Sequence, residues 1–282
     1  MESTTLDQRR DDCSISISEV TLSDIPAIVS LCSRVLSGNL DQDTFHPPDP
    51  STGLFTAATY TWKTETLRLF LGQNPLARAY KATVSIDSHR TTAARAVVNG
   101  DNTTTGLRQL VAVAIWEAPK TCIQSPSEMK RHAEYERLRK SASLPAESRA
   151  DVFEEVMNVM ARTKKQFWGD RGDCWYLRLL LTEPEYRKCG HARQLVSWGI
   201  NQAAAQRLPI YLVSTPHAVE FYRKVGFDVL GESSHFDGRY SYFYCRRAAA
   251  PKESTEGCNT TDQGRIESPP LSGKPSTSAY CG

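Results

Sequence analysis

The stretch from residue 174 to 247 constrains the fold more than any other part of the chain. "CWYLRLLLT" is a short apolar run of strand length, "HARQLVSWGINQAAAQR" has helical spacing, and "PIYLVST" is a second buried strand. Strand, helix, strand in that order requires a crossover, so these two strands lie parallel. "PHAVEFYRKV" then reads as a helix stopped at Gly226, "FDVLGE" as a strand and "RYSYFYCRR" as the last strand. The closing strands are near enough in sequence to form an antiparallel meander. A mixed sheet follows.

Upstream, "CSISISEV" alternates apolar and polar residues, as a strand with one buried face does. "SDIPAIVSLCSRVL" places Ile25, Ile28, Val29, Leu31, Cys32 and Val35 at helical spacing, with Ser23 as its N-cap and Pro26 in the first turn. The loop "DQDTFHPPDPSTG" leads to a second amphipathic segment, "YTWKTETLRLFLGQ". "AYKATVSI" and "LRQLVAVAIWEA" read as a hairpin joined by a long flexible loop at 88–106. Residues 125–168 form a charged helical block in which Val152, Phe153, Val156, Met157, Val159 and Met160 make a stripe that packs on the core. The basic run from Lys130 to Lys140 reads as a solvated helix face. The class is α+β or mixed α/β, with about seven strands.

Residues 1–13 and the Ser/Thr/Pro/Gly tail at 248–282 bury too little apolar surface to offset the entropy of ordering, so disorder is expected in both. One folded domain over 14–247 remains, with 125–168 as a helical insertion. A net charge of +2 over 282 residues is too small to imply a nucleic-acid or membrane partner. No apolar leader is visible at the N-terminus, and "LVAVAIW" is far shorter than the about 20 residues a bilayer needs. The eight cysteines, at 13, 32, 122, 174, 189, 245, 258 and 281, show no metal-ligand spacing. They fit reduced thiols in a soluble cytoplasmic protein, and no metal is expected.

The chemistry concentrates in "EPEYRKCGHARQLVSWG", residues 183–199, at the junction of the buried strand and its helix. A helix start leaves its first N–H groups without acceptors and carries partial positive charge. Gly190 and Ala192 allow a ligand's phosphate to approach those groups, and Arg187 and Lys188 add charge at the rim. No Ser, Thr, Asp or Asn stands there to cap the helix, so an anionic ligand would satisfy the donors. Neither G-x-x-x-x-G-K-[ST] nor G-x-G-x-x-G with a suitably placed acidic residue is present. The competing reading is an ordinary solvated loop.

"LLLTEPEYRKCGHARQL" resembles motif A of the GNAT superfamily of acyl-CoA-dependent N-acyltransferases, with Pro184, Tyr186, Arg187, Gly190 and Ala192 in register. "PIYLVSTPHAVEFYRKVGFDVLGE" resembles motif B, through Phe221, Tyr222, Gly226 and Phe227. The resemblance covers 174–247 and is consistent in element order from residue 14. It implies a mostly antiparallel sheet of about seven strands, splayed between the fourth and fifth, that binds acetyl-CoA. The backbone of Leu180, Leu181 and Thr182 would hold the pantetheine arm, and N–H groups of Lys188, Cys189, Gly190, His191 and Ala192 the pyrophosphate, with Arg187 and Arg193 nearby. Ser214 and Thr215 would lie near the acyl end. Tyr222 would be the general acid that protonates the leaving thiolate, a phenol being protonated at neutral pH. Its plainer role is an aromatic packed under the C-terminal sheet.

Departures from the family pattern are Thr182 at a usually aliphatic position, Cys189 where a basic residue or Gly is common, and His191, expected at the surface. The fourth strand lacks the carboxylate that some members use as base. Glu117 and Glu183 are the candidates, or a water chain serves instead. The implied activity is acetyl transfer to an amine. A small molecule is the expected acceptor, because no acidic trough or targeting module is present; a peptide or protein amine is second. The expected assembly is a monomer or homodimer. The alternative is a non-catalytic CoA-binding or protein-interaction module on the same fold.

Overall fold

Seven strands form one sheet in the computed structural model: β1 (Ile15–Glu19), β2 (Ala77–Ser85), β3 (Arg108–Glu117), β4 (Trp175–Thr182), β5 (Ile210–Ser214), β6 (Asp228–His235) and β7 (Tyr240–Arg247). Their spatial order is β1-β2-β3-β4-β5-β7-β6. The β4–β5 pair is parallel and every other pair antiparallel. The helices are α1 (Ile25–Val35), α2 (Ala57–Gln73), α3 (Pro126–Ser141), α4 (Ala150–Trp168), α5 (His191–Ala205) and α6 (Val219–Lys224). The structure describes residues 15–36, 46–85, 108–168, 173–235 and 240–249. All of them belong to one compact unit, Met1–Pro251, whereas Lys252–Gly282 lies outside the described residues. The expectations for 1–13 and 88–106, and for nearly all of 248–282, also fall outside them.

Two features of β4 shape the sheet. Ile115 faces Leu179 but Trp116 faces Leu177, so Arg178 is an extra residue, a bulge on β4. The parallel pairing to β5 consists of Trp175–Ile210, Tyr176–Tyr211 and Leu177–Leu212, and it ends at that bulge. Beyond it the strands part, as expected for the fourth and fifth strands.

Strand alternation sends side chains to two layers. Trp116, Leu177, Ile210 and Leu212 pack with Leu195 and Val196 of α5 and with Tyr222 and Phe227. On the other face Val113, Ile115 and Leu181 meet Ile25, Ile28 and Leu31 of α1 and Phe70 of α2. Further along that face, Tyr211, Tyr242 and Tyr244 pack against Val152 and Val156 of α4. Burying a large aliphatic side chain stabilises by about 1.5–3 kcal/mol, so these contacts dominate the fold's favourable terms.

Helix starts follow side-chain chemistry. Ser125 caps α3, accepting from the Glu128 N–H while Glu128 accepts from the Ser125 N–H, a reciprocal capping box. Thr56 Oγ1 accepts from the Thr59 N–H at the start of α2. Ser23 is not the cap of α1. The helix starts at Ile25 with Asp24 at the N-cap, after a 3-10 turn at Leu22–Asp24. Asp24 instead accepts from the Thr21 N–H and from Lys81, so the acidic residue organises the preceding turn.

The expected buried face of β1 is also corrected. Ile15 and Ile17 are 37% and 38% exposed, because β1 is an edge strand paired only to β2. In the α4 stripe, Val152 and Val156 are buried and Phe153 and Met160 pack against them, but Met157 is exposed. The basic run on α3 is largely exposed around a buried Tyr135, as a solvated helix face requires.

Candidate active site

The β4–α5 turn begins with a 3-10 turn at Pro184–Tyr186 and ends at Gly190, the N-cap of α5. Lys188 has φ 64° and Gly190 has φ 86°, two left-handed residues flanking Cys189. Alternation of this kind turns successive N–H groups toward one concavity, a nest suited to an anion. Among the described residues, no N–H from Lys188 to Arg193 donates to a protein acceptor, and no side chain caps α5. Six consecutive donors at a helix N-terminus are thus open to a ligand. Among the described residues, a Cβ built on Gly190 meets nothing within 4 Å, so no protein atom crowds that position. These features fit a phosphate-bearing donor such as acetyl-CoA.

The side chains around the nest divide clearly. Arg187, Lys188, Cys189 and Arg193 are exposed and Ala192 is partly buried. Arg187 Nε reaches back to the Thr182 carbonyl at 3.5 Å, which folds the turn against the end of β4. His191 departs from expectation: it is 3% exposed, and its ring lies 6.5 Å from that of Tyr186. Burial depresses its pKa and favours the neutral imidazole. An N-terminal helix residue becomes a packing residue here because Tyr186 offers it an aromatic wall.

Glu183 is engaged. Arg34, near the end of α1, donates Nε to its Oε1 at 3.0 Å and Nη2 to its Oε2 at 2.9 Å. This two-pronged pair ties α1 to the start of the turn. Glu117 is engaged too: its Oε2 accepts from Arg178 Nη1 at 2.7 Å and its Oε1 from Asn74 Nδ2 at 3.3 Å.

Past the Leu177–Leu212 pair, Leu180, Leu181 and Thr182 pair only with β3. The β5-facing side of this part of β4 is therefore an open strand edge. At the end of β5, Ser214 is buried, pairs with Phe243 and donates Oγ to the Thr215 carbonyl. The Thr215 carbonyl also accepts from the Ala218 and Val219 N–H groups, which sets the start of α6. Tyr222 on α6 is 6% exposed, with its ring edge-on to Phe221 and Phe227. Burial raises the phenol's pKa, so it is protonated at neutral pH. The packing is that of a core aromatic, and the protonated phenol keeps the proton that a donor role would need. Among the described residues, no group of three or more His, Cys, Asp or Glu could hold a metal.

Arg178 and Arg34 are the residues that sequence reasoning missed. A cation inside the apolar run "CWYLRLLLT" was the available signal, since a charge there needs a partner and a reason. Nothing local in the sequence pairs Arg34 with a residue 149 positions away.

Residues 125–227 match the acetyltransferase (GNAT) family, a span that opens at the α3 cap and closes at Phe227. No curated protein matches the chain. Among solved structures, the chain is similar to the histone acetyltransferase HPA2 and related acetyltransferase from Corynebacterium glutamicum, at 19% identity over 85% of this chain and 99% of that one, TM-score 0.49. It is similar to the polyamine N-acetyltransferase of Drosophila melanogaster at 11% identity over 83% and 100%, TM-score 0.49. A third likeness is to the ribosomal-protein-S18-alanine N-acetyltransferase from Escherichia coli, at 11% identity over 86% and 98%, TM-score 0.41. At such identities and TM-scores these likenesses decide neither donor nor acceptor.

Proposed function

We propose that this chain, which carries an acetyltransferase domain of the GNAT family, moves the acetyl group of acetyl-CoA directly to the amine of a small molecule. The domain spans 14–247, with the helices of 125–168 inserted between β3 and β4. The observation that carries the reading is the run of open N–H groups from Lys188 to Arg193, next to the free edge of β4.

The nest holds the pyrophosphate, with Arg187, Lys188 and Arg193 screening its charge. Leu180, Leu181 and Thr182 receive the pantetheine amides as an added strand would. The donor's thioester supplies an activated acetyl carbon. Holding it beside the acceptor replaces a bimolecular encounter with a positioned one, which lowers the barrier by several kcal/mol. Backbone N–H groups along the open edge of β4 polarise the carbonyl. The amine lone pair forms the C–N bond, the C–S bond breaks, and Tyr222 gives its proton to the departing thiolate. Ser214 and Thr215 close the acyl end. Glu117 already accepts from two partners, so the amine's proton passes to water, which returns a proton to the Tyr222 phenolate, and Glu117 holds Arg178 in place.

The test is acetyl-CoA-dependent thiol release by the full chain across amino acids, arylalkylamines, polyamines and N-terminal peptides. Release with one or more small amines is expected. Release with peptides alone would move the acceptor to protein, and no release with any amine would overturn the reading.

A further inference from the structure

The strip of the sheet between α2 and α4, beside the point where β4 leaves β5, holds more hydrogen-bond donors than the protein fills. Arg178, the bulge residue, lies with its guanidinium 4.7 Å from the Phe70 ring centre and 5.8 Å from that of Tyr176. Among the described residues it gives one hydrogen bond, to Glu117 at 2.7 Å, out of the five N–H donors of a guanidinium. Lys164, on α4, places Nζ 5.2 Å from the Tyr176 ring centre and 5.3 Å from that of Tyr211. Among the described residues it donates to no protein acceptor. Tyr211 is 1% exposed, its ring 5.8 Å from that of Tyr176.

Arg178 and Lys164 therefore both stand over the Tyr176 ring, with Glu117 paired to Arg178. The geometry points to this strip as the acceptor subsite, and to an amine that carries a carboxylate as its occupant. The inference rests on the transfer reaction proposed above and names its substrate class. A carboxylate takes the open side of the Arg178 fork in paired hydrogen bonds and the Lys164 ammonium as a counter-charge. The Tyr176 ring supports the carbon skeleton between them. A polyamine meets the reverse situation, two like charges in a partly desolvated site, and is rejected. Glu117 anchors Arg178 from the other side and keeps the fork from turning away.

Matched acceptors test this: an amino acid, its carboxamide and its decarboxylated amine, together with spermidine, each assayed for CoA release by the full chain. The amino acid is expected to show a kcat/KM about tenfold or more above its two relatives, carried by KM. In Lys164→Gln that ratio is expected to collapse by about fivefold or more, since an exchange on α4 leaves the Arg178–Glu117 pair intact. Arg178→Lys, which keeps the charge and loses the fork, is expected to reduce the ratio as well. Faster turnover of the carboxylate-free amines or of spermidine overturns this inference and leaves the acetyltransferase reading standing. An unchanged ratio in both variants overturns it as well. No release from any amine, with acetyl-CoA added, overturns both.

Discussion

Gly199 on α5 lies so close to Trp116 on β3 that a Cβ built on the glycine overlaps the indole ring. The helix can sit this deep on the sheet only because that position has no side chain, and Trp116 itself is fully buried. Gly199→Ala gains helix propensity but must push the indole or the helix aside, and overpacking of this kind costs about 1–3 kcal/mol. A fall of several degrees in Tm is expected by calorimetry. An unchanged or higher Tm would mean that the contact is loose.

The bidentate Arg34–Glu183 pair assigns Glu183 a strut's role at the donor turn. Arg34 is partly exposed, so breaking the pair should cost no more than about 1 kcal/mol of stability. Glu183→Gln is expected to raise KM for acetyl-CoA a few-fold and to leave the pH profile of kcat unaltered. Loss of the acid-side limb of that profile would instead make Glu183 the base.

His46 supplies a pH prediction. Burial first, and the Lys63 charge second, lower its pKa from the ordinary 6.5 to about 4, and its Nδ1 pairs with Ser148 Oγ at 2.8 Å. Between those two values the unfolded chain takes up a proton that the native protein refuses, so stability falls as pH drops from 6.5 toward 4. Urea midpoints at pH 7, 5.5 and 4.5 should decline, and His46→Gln should flatten the decline. An equal slope in the variant would assign the loss to other groups.

Much of the core architecture was legible in the sequence. The β4–α5–β5 crossover, the β2–β3 pairing and the Gly226 stop could be read because each depends on local periodicity or on a backbone conformation only glycine adopts cheaply. Gly226 has φ 86° as a helix stop requires, and its carbonyl and that of Val225 accept from Arg247. What escaped depends on partners distant in sequence. Alternation in "CSISISEV" could not reveal that β1 is an edge strand with exposed isoleucines. Local rules placed the α1 cap at Ser23, two residues before the helix begins, because Asp24 is drawn to Lys81. The bulge at Arg178 is a matter of register between β3 and β4, which no single strand discloses.

Tyr222→Phe separates the two roles of that residue. The ring packing with Phe221 and Phe227 is retained, so stability should change by less than about 1 kcal/mol. If the hydroxyl protonates the leaving thiolate, kcat falls by about 10²–10⁴-fold while acetyl-CoA affinity holds. Unaltered kcat would leave Tyr222 as a core aromatic alone.

The central claim is that the nest closed by Gly190 binds the phosphates of acetyl-CoA, and calorimetric titration of acetyl-CoA into the wild type and Gly190→Val tests it most directly. The valine strains a position at φ 86°, and so the turn that presents the N–H groups of Lys188 to Arg193, which among the described residues meet no protein acceptor. Saturable binding by the wild type, weakened at least about tenfold in the variant with its fold intact by circular dichroism, is the predicted result. No binding by the wild type, or equal affinity in the variant, would contradict the account.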